Sequence, residues 1–175
     1  MKIITAPDTN SVWKYYLSGD TLVFLAGGIT DCPEWQKEVI KKLNIEDNHV
    51  IICNPRRDNF PIHDPNASYE QIEWEYKALN KCYIFSIMFC ESTSDQPICF
   101  YELGRYIERM KLRFPKDWKN RIIVSCDDEF KRIQDVLIQT KLATSNRVKV
   151  NVGKGEDLIN THVHCIEKAV EYIRG

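Results

Sequence analysis

One carboxylate stands inside an apolar run in the second half of the chain. Glu102 occupies "ICFYELG" (98–104), among residues of the kind that fill a protein core, where an unpaired charge is costly to bury. Paired carboxylates support glycosidic chemistry, in which one attacks the anomeric carbon and another group helps the leaving group to accept a proton. Glu75 and Asp95 are the other acids nearby in the predicted fold. The alternative is a structural Glu that offsets the dipole at the start of a helix.

A glycine pair follows the first strongly apolar run. Ala26, Gly27 and Gly28 come after a predicted strand and before a predicted helix, so a phosphate or sugar could approach the backbone there. The dinucleotide fingerprint GxGxxG and the P-loop GK[ST] are both absent. Taken alone, the pair is better explained by a tight turn that needs a positive φ.

The motif "NPRR" (54–57) brings Asn54 and two arginines to the end of the next predicted strand. Arg56 or Arg57 could bind a phosphate or carboxylate through two parallel hydrogen bonds. The alternative is a solvated loop in which one Arg pairs with a nearby Asp.

The motif "QIEWE" (71–75) places Gln71 and Glu75 one helical turn apart, with Trp74 beside them. An amide and a carboxylate on one face could read the edge of a heterocycle, and an indole could stack on it. Trp74 alone is better explained as a core residue. By contrast, His162 and His164 lie two apart on a predicted helix and do not share a face, so no metal site is predicted.

These side chains need elements to position them, and β-rich runs alternate with helical periodicity from residue 21 onward. This alternation predicts an α/β fold with a mostly parallel sheet covered on both faces. Ligands of such sheets bind outside the carboxyl ends of the strands, where all three motif-bearing loops fall. Ser68 and Gln71 predict a capping box for the helix before the third strand. The predicted strands span residues 21–27, 49–55, 83–89, 121–126 and 147–152.

Composition indicates one domain and a small partner. The chain has 175 residues and a net charge of −1 without a long basic run, so neither a nucleic-acid polymer nor a membrane surface is predicted as partner. Its seven cysteines never form CxxC, which is typical of reduced cysteines in a cytoplasmic protein. We expect residues 21–175 to form the domain, preceded by an extension (1–20) that is either an edge strand or coil.

Taken in order, "VFLAGGI", "NPRR", "QIEWE", "YIFSIMF" and "PICFYELGRY" resemble the nucleoside 2-deoxyribosyltransferase family, including its nucleotide N-glycosidase relatives. The likeness covers about residues 21–110. It implies a flavodoxin-like, Rossmann-like three-layer sandwich, for which we expect five strands. It also implies a homo-oligomer whose active sites can borrow residues from a neighbour, and chemistry without a metal or organic cofactor.

The resemblance assigns roles to individual residues. It makes Glu102 the nucleophile, Glu75 a contact to the nucleobase or its proton, and residues 26–28 part of the pocket floor. Asp95 resembles the acid that precedes the nucleophile in the family, although the spacing fits Gln96 as well. The resemblance also places "NPRR" and Gln71 on the sugar or base side.

Two positions depart from the family pattern. Some members carry a tyrosine in the first strand near the nucleophile, where this chain has Phe24. Many carry an aspartate at the start of the third strand, where this chain has Cys82 and Tyr83.

The implied reaction is a retaining double displacement through a deoxyribosyl-Glu102 intermediate. A second nucleobase as acceptor makes the protein a transferase. Water as acceptor makes it an N-glycosidase, and an Arg56 or Arg57 aimed into the site would favour a 2′-deoxynucleoside 5′-monophosphate as substrate. A catalytically idle nucleotide-binding module, such as a sensor, is a further alternative. The sequence does not distinguish purine from pyrimidine substrates.

Overall fold

The computed structural model describes residues 1–61 and 63–175. Its centre is a sheet in which every strand pairs in parallel with its neighbours, in the order β1-β3-β2-β4-β5-β6. The strands are β1 (Lys2–Thr5), β2 (Thr21–Gly27), β3 (Val50–Asn54), β4 (Ile84–Phe89), β5 (Ile122–Asp127) and β6 (Val150–Gly153). The helices are α1 (Thr9–Leu17), α2 (Trp35–Lys42), α3 (Ala67–Lys81), α4 (Pro97–Arg113), α5 (Ile133–Ala143) and α6 (Gly155–Arg174), with a 3₁₀ turn at Trp118–Arg121.

Both faces of the sheet are covered, which makes three layers. In β2, Leu22, Phe24 and Ala26 point into one core, and Val23 and Leu25 point into the other. The first core lies under α1, α3, α4 and α5, and the second lies under α2 and α6. Continuous apolar strands such as "TLVFLAG" follow from this arrangement, because neither face meets water. The predicted three-layer α/β class is confirmed.

Across residues 1–61 and 63–175 the sheet has six strands, so the expectation of five is wrong. The added strand is β1, which pairs with β3 at the edge of the sheet with Lys2 opposite Ile51. Its four residues are too few for a periodic pattern, and only pairing with β3 defines the strand.

The residues that follow β1 form a helix, α1, and not coil. The side chain of Asp8 begins this helix, since its Oδ1 accepts hydrogen bonds from the backbone N–H groups of Asn10 and Ser11. Helix α1 packs on α3, so the first 20 residues belong to the same sheet and core as the rest.

The predicted capping box at Ser68 is wrong. Helix α3 begins one residue earlier, at Ala67, and Ser68 lies within its first turn. A turn that begins at Asp64 leads into the helix. The Asp64 Oδ1 accepts a hydrogen bond from the Asn66 N–H (2.9 Å), and the Asp64 carbonyl accepts one from the Ala67 N–H (3.1 Å).

The longest helix, α6, is fastened to the sheet by a buried histidine. The Nε2 of His162 lies 2.6 Å from Ser86 Oγ and its Nδ1 lies 2.7 Å from Ser125 Oγ. Complete burial lowers the pKa of His162 to about 3, so the ring is neutral and acts as a structural link between α6, β4 and β5. Among the described residues, no helix combines the length and the apolar character needed to cross a membrane.

The order in which strands are added to the sheet reverses between β2 and β4. These strands are neighbours, whereas β3, which lies between them in sequence, pairs on the far side of β2. The connections that leave β2 and β4 therefore diverge, and they open a crevice at the carboxyl edge of the sheet.

Candidate active site

A cavity of about 190 Å³ occupies this crevice. Its wall combines the ends of β2 and β3, the loop before α4, and the facing sides of α3 and α4. Five of the predicted site residues meet there: Ala26, Gly27, Gly28, Glu75 and Glu102. The candidate nucleophile and a second carboxyl group therefore share one cavity.

The start of α4 brings Glu102 to this cavity. Gln96 lies at the N-cap in the left-handed region (φ 49°, ψ 51°), and Pro97 follows in the first turn, where no intrahelical N–H is required. The side-chain amide of Gln96 donates to the Cys90 carbonyl at 2.7 Å, which ties the helix start to the end of β4. One turn later, Leu103 enters the core and Glu102 faces the cavity.

The carboxyl of Glu102 is largely shielded from water. Only 9% of Glu102 is exposed, and burial, followed by the charge of Glu75, raises its pKa to about 8. Within the described part of the chain, no side chain or backbone group hydrogen-bonds to this carboxyl. Phe24 lies in the same wall and offers no hydroxyl. The oxygens of Glu102 are therefore available to a bound ligand.

Glu75 is oriented by its neighbour one turn earlier. Nε2 of Gln71 donates to Glu75 Oε1 and to the Pro55 carbonyl, both at 2.7 Å. Burial raises the pKa of Glu75, and the bond from Gln71 opposes part of that increase. Because the charge of Glu75 also raises the pKa of Glu102, the two carboxyls titrate as an interacting pair.

The glycines of the cavity floor are required by close packing. A Cβ on Gly27, whose φ is +138°, would lie 2.2 Å from the Met88 carbonyl oxygen. A Cβ on Gly28 would lie 2.3 Å from Cys32 Sγ and 2.7 Å from Gln96 Oε1. The floor is therefore fixed by contacts from β4, the β2–α2 loop and the start of α4.

Comparison with known families agrees with this arrangement. The model of a family described as nucleoside 2-deoxyribosyltransferase like matches residues 20–114, just over half of the chain. The chain belongs to this family. The matched segment runs from β2 to the end of α4 and contains the whole wall of the cavity. A comparison with curated proteins gives no match.

Asp95 lies outside the cavity of this nucleoside 2-deoxyribosyltransferase-like protein. Its carboxylate is exposed and pairs with Lys131 at 2.9 Å, and that interaction lowers its pKa. The next residue, Gln96, lines the cavity instead. Asp95 and Gln96 were the two candidates for the acid that precedes the nucleophile in the family. Of these, Gln96 lines the cavity and Asp95 lies at the surface.

Trp74 and Asn54 are structural neighbours of the site. Trp74 is fully buried, packs 6.0 Å from the ring of Phe24 and donates its Nε1–H to the Asp8 carbonyl at 3.1 Å. Asn54 ends β3, and its Oδ1 accepts from the Arg56 N–H at 3.1 Å. Neither residue reaches the cavity wall, so both act behind it.

Arg56 also serves the scaffold. Its Nε donates to Gln36 Oε1 at 2.9 Å, and its Nη2 donates to the carbonyls of Ile29 (3.1 Å) and Pro33 (2.8 Å) in the loop after β2. The guanidinium therefore holds that loop closed, and it is not part of the cavity wall.

Several wall residues escaped the sequence reasoning. Thr30 and Ser94 lie in loops predicted to face the site, but nothing in their residue types indicated a role, whereas Pro55 belongs to the predicted motif "NPRR". Ile98 and Cys99 lie one turn before Glu102, and helical spacing from the nucleophile would have found them.

Proposed function

We propose that this protein is a nucleoside 2-deoxyribosyltransferase that cleaves the N-glycosidic bond of a 2′-deoxynucleoside and transfers the sugar to another nucleobase. One observation carries the proposal. Glu102 is buried, its carboxyl oxygens have no hydrogen-bond partner in the described part of the chain, and it shares a cavity with Glu75, whose pKa is also raised by burial. Family membership supports the same class of reaction.

Glu102 is the nucleophile in this proposal. Its carboxylate attacks C1′ of the sugar, the C1′–N bond breaks, and an ester bond joins the sugar to Glu102. Burial favours this attack, because a carboxylate that has lost its hydration shell gains more from bonding to an oxocarbenium-like carbon. Microscopic reversal with a second base as nucleophile regenerates Glu102 and releases the new nucleoside.

Glu75 supplies the proton that the leaving base needs. The reactive form of the pair carries one proton, placed on Glu75, while Glu102 is ionised. As the C1′–N bond breaks, the proton passes to the base nitrogen, and Gln71 keeps the carboxyl oriented. Asp95 does not take this role in the proposal, since it is not part of the cavity wall and its carboxylate pairs with Lys131 at the surface.

The substrate is a free nucleoside in this proposal rather than a 5′-monophosphate. The recognition of a phosphate by Arg56 would require its guanidinium to leave Gln36 and the loop carbonyls. That exchange would open the loop that forms the cavity floor.

We further propose that the protein works as a homo-oligomer in which a second copy covers the cavity. The cavity is smaller than the roughly 300–1,000 Å³ typical of small-molecule sites, so the single chain supplies only part of the walls. Beside it runs a surface, here called the α3–α4 surface, of five large exposed side chains: Tyr69, Ile72, Tyr76, Ile98 and Tyr101.

The α3–α4 surface is continuous with the site. Ile98 belongs to both the surface and the cavity wall. Arg105 joins the two helices, because its guanidinium lies 5.1 Å from the ring of Tyr76 and hydrogen-bonds to the Tyr101 hydroxyl. An exposed apolar patch of this kind marks an interaction surface.

The covalent step is tested by trapping. We would mix the protein with individual 2′-deoxynucleosides, quench in acid, and measure the intact mass and the mass of the peptide that carries Glu102. A gain of one deoxyribosyl group on that peptide, absent in Glu102→Gln, is the expected result. Base release without any adduct, unaffected by Glu102→Gln, would contradict the proposal, and binding without base release would favour an idle nucleotide-binding module.

A further inference from the structure

A second cavity lies at the opposite edge of the sheet from the Glu102 cavity, and the proposed reaction does not use it. Its volume is about 530 Å³, which falls within the roughly 300–1,000 Å³ typical of small-molecule sites. Its walls come from three segments within residues 119–123, 147–151 and 164–172, and it is here called the α6–β6 cleft. The cleft lies where β5 and β6 begin, so a ligand bound there would not meet the proposed nucleophile.

Cationic side chains from separate segments surround the α6–β6 cleft. Lys119 lies in the 3₁₀ turn, Arg147 and Lys149 lie between α5 and β6, and Lys168 lies on α6. Among the described residues, no Asp or Glu lines the cleft. Positive charge is therefore concentrated there, although the chain as a whole has a net charge of −1. Because the four residues are far apart in sequence, only the fold brings their charges together.

Most of this charge has no acidic partner. Lys168 Nζ lies 3.5 Å from a carboxylate oxygen of Glu171, and both side chains are largely exposed. Within residues 1–61 and 63–175, Lys119, Arg147 and Lys149 form no ion pair. Like charges around one cleft repel each other, and a bound anion would relieve that repulsion.

The cleft also offers an apolar floor. Ile122, Val148 and Ala169 line it and are buried. Asn151 lines it as well, and its Nδ2 donates to Ser125 Oγ at 3.3 Å, which holds the amide against β5. An organic group could therefore pack on apolar surface while its charged part meets the cations.

We propose that the α6–β6 cleft binds a small organic molecule that carries a chain of linked phosphates, such as a nucleoside triphosphate. A single phosphate group carries at most about two negative charges, whereas linked phosphates carry more and can reach cations from several segments. Arg147 can hold phosphate oxygens through two parallel hydrogen bonds, and the lysines act as point charges. This binding is independent of the proposed nucleoside chemistry.

The site is tested by ligand binding to the full chain at low ionic strength, because salt screens exposed charges. The probes are ATP, inorganic tripolyphosphate and inorganic phosphate. Isothermal titration calorimetry gives the stoichiometry and the affinity, and amide chemical shifts locate the site. We expect one ATP per chain, weaker binding of tripolyphosphate because it lacks the organic group, and the weakest binding of phosphate. The shifts should change at residues 119–123, 147–151 and 164–169, and not at Gly27 or Glu102.

Matched variants test the contribution of individual charges. Arg147→Gln and Lys149→Gln should each weaken ATP binding by about tenfold, since each removes a hydrogen bond between charged groups. Lys41→Gln is the control, because Lys41 is an exposed lysine of α2 that forms no ion pair in the described part of the chain. It makes the same change of net charge and should bind ATP as wild type does.

Several results would overturn the proposal. The absence of saturable ATP binding would refute the site, and equal weakening by all three variants would indicate general attraction to the surface charge. Shifts confined to the cavity of Glu102 would place the nucleotide there instead. Phosphate binding as tight as that of ATP would refute the need for linked phosphates, and tripolyphosphate binding as tight as that of ATP would refute a role for the apolar floor.

Discussion

At the scale of single residues, the burial of Glu102 lowers the stability of the folded protein and, in the proposed reaction, favours nucleophilic attack on the sugar. The unfolded chain ionises this carboxyl above about pH 4.5, whereas the folded protein keeps the proton up to about pH 8. The native state therefore binds more protons across this window, and its stability falls as the pH rises. The proposed nucleophilic role would account for a carboxyl at this position, since an amide of the same shape avoids the cost.

Glu102→Gln is expected to stabilise the protein at high pH. The advantage over wild type should be small near pH 5 and grow to about 3–5 kcal/mol by pH 8, the free energy that corresponds to the pKa difference. Chemical denaturation of both proteins across this pH range measures it. An advantage that is constant with pH would contradict the burial argument.

The Glu75–Glu102 pair predicts a bell-shaped pH profile of kcat/KM. In acid both carboxyls are protonated and Glu102 cannot attack, whereas above about pH 8 the pair loses its last proton and none remains for the leaving base. Glu75→Gln should remove the basic limb, because residue 75 then has no proton to lose, and the ionisation of Glu102 alone should set the limb that remains. We expect kcat/KM to fall by about 10²–10⁴-fold, the usual contribution of a general acid. Retention of the basic limb in Glu75→Gln would contradict this role.

At the scale of elements, the site depends on loops that are packed together with almost no free space. Gly28→Ala is expected to destabilise the protein by about 1–3 kcal/mol, because the new Cβ meets Cys32 and Gln96. Gly104→Ala is the matched control, since Gly104 lies within α4 with no atom within 4 Å of the added Cβ. That control should stabilise by about 0.5–1 kcal/mol through helix propensity. Thermal unfolding compares the two, and equal effects would refute the packing argument.

Arg56→Ala should disturb the same loop. Loss of its hydrogen bonds to Gln36 and the loop carbonyls is expected to reduce turnover of nucleosides and their 5′-monophosphates by the same factor. Steady-state kinetics on both substrates measures the ratio. A loss confined to the monophosphate would contradict the structural role and support phosphate recognition by Arg56.

The elements with strong patterns could be predicted, and the local contacts could not. Five strands and the cleft at their carboxyl ends follow from apolar runs and their spacing. The sixth strand, β1, is too short to show a period, and its pairing with β3 is a long-range contact. Asp95 and Gln96 are adjacent in sequence, and only the left-handed backbone of Gln96 decides which of them faces the cavity. Arg56 donates hydrogen bonds to carbonyls more than 20 residues earlier in the chain, and no local sequence pattern indicates such contacts.

At the scale of the whole molecule, the α3–α4 surface is expected to hold two copies together. Tyr76→Asp places a charge in its centre and should shift the oligomer to monomer, with a parallel loss of turnover because the cavity loses its cover. Tyr172→Asp is the matched control: Tyr172 is 53% exposed against 52% for Tyr76, but it lies on α6 across the sheet. Sedimentation velocity and base release are measured on both variants. A monomeric wild type, or a monomeric Tyr76→Asp with full activity, would contradict the proposed assembly.

In the proposed reaction, Glu102 carries the sugar from one base to another. The most direct measurement is chromatography of bases and nucleosides after incubation with a panel of 2′-deoxynucleosides and their 5′-monophosphates, with and without an acceptor base, for wild type and Glu102→Gln. We expect a new nucleoside that forms only with acceptor and disappears in Glu102→Gln. Base release that does not require an acceptor would identify an N-glycosidase, and the absence of Glu102-dependent release from every member of the panel would contradict the proposed reaction.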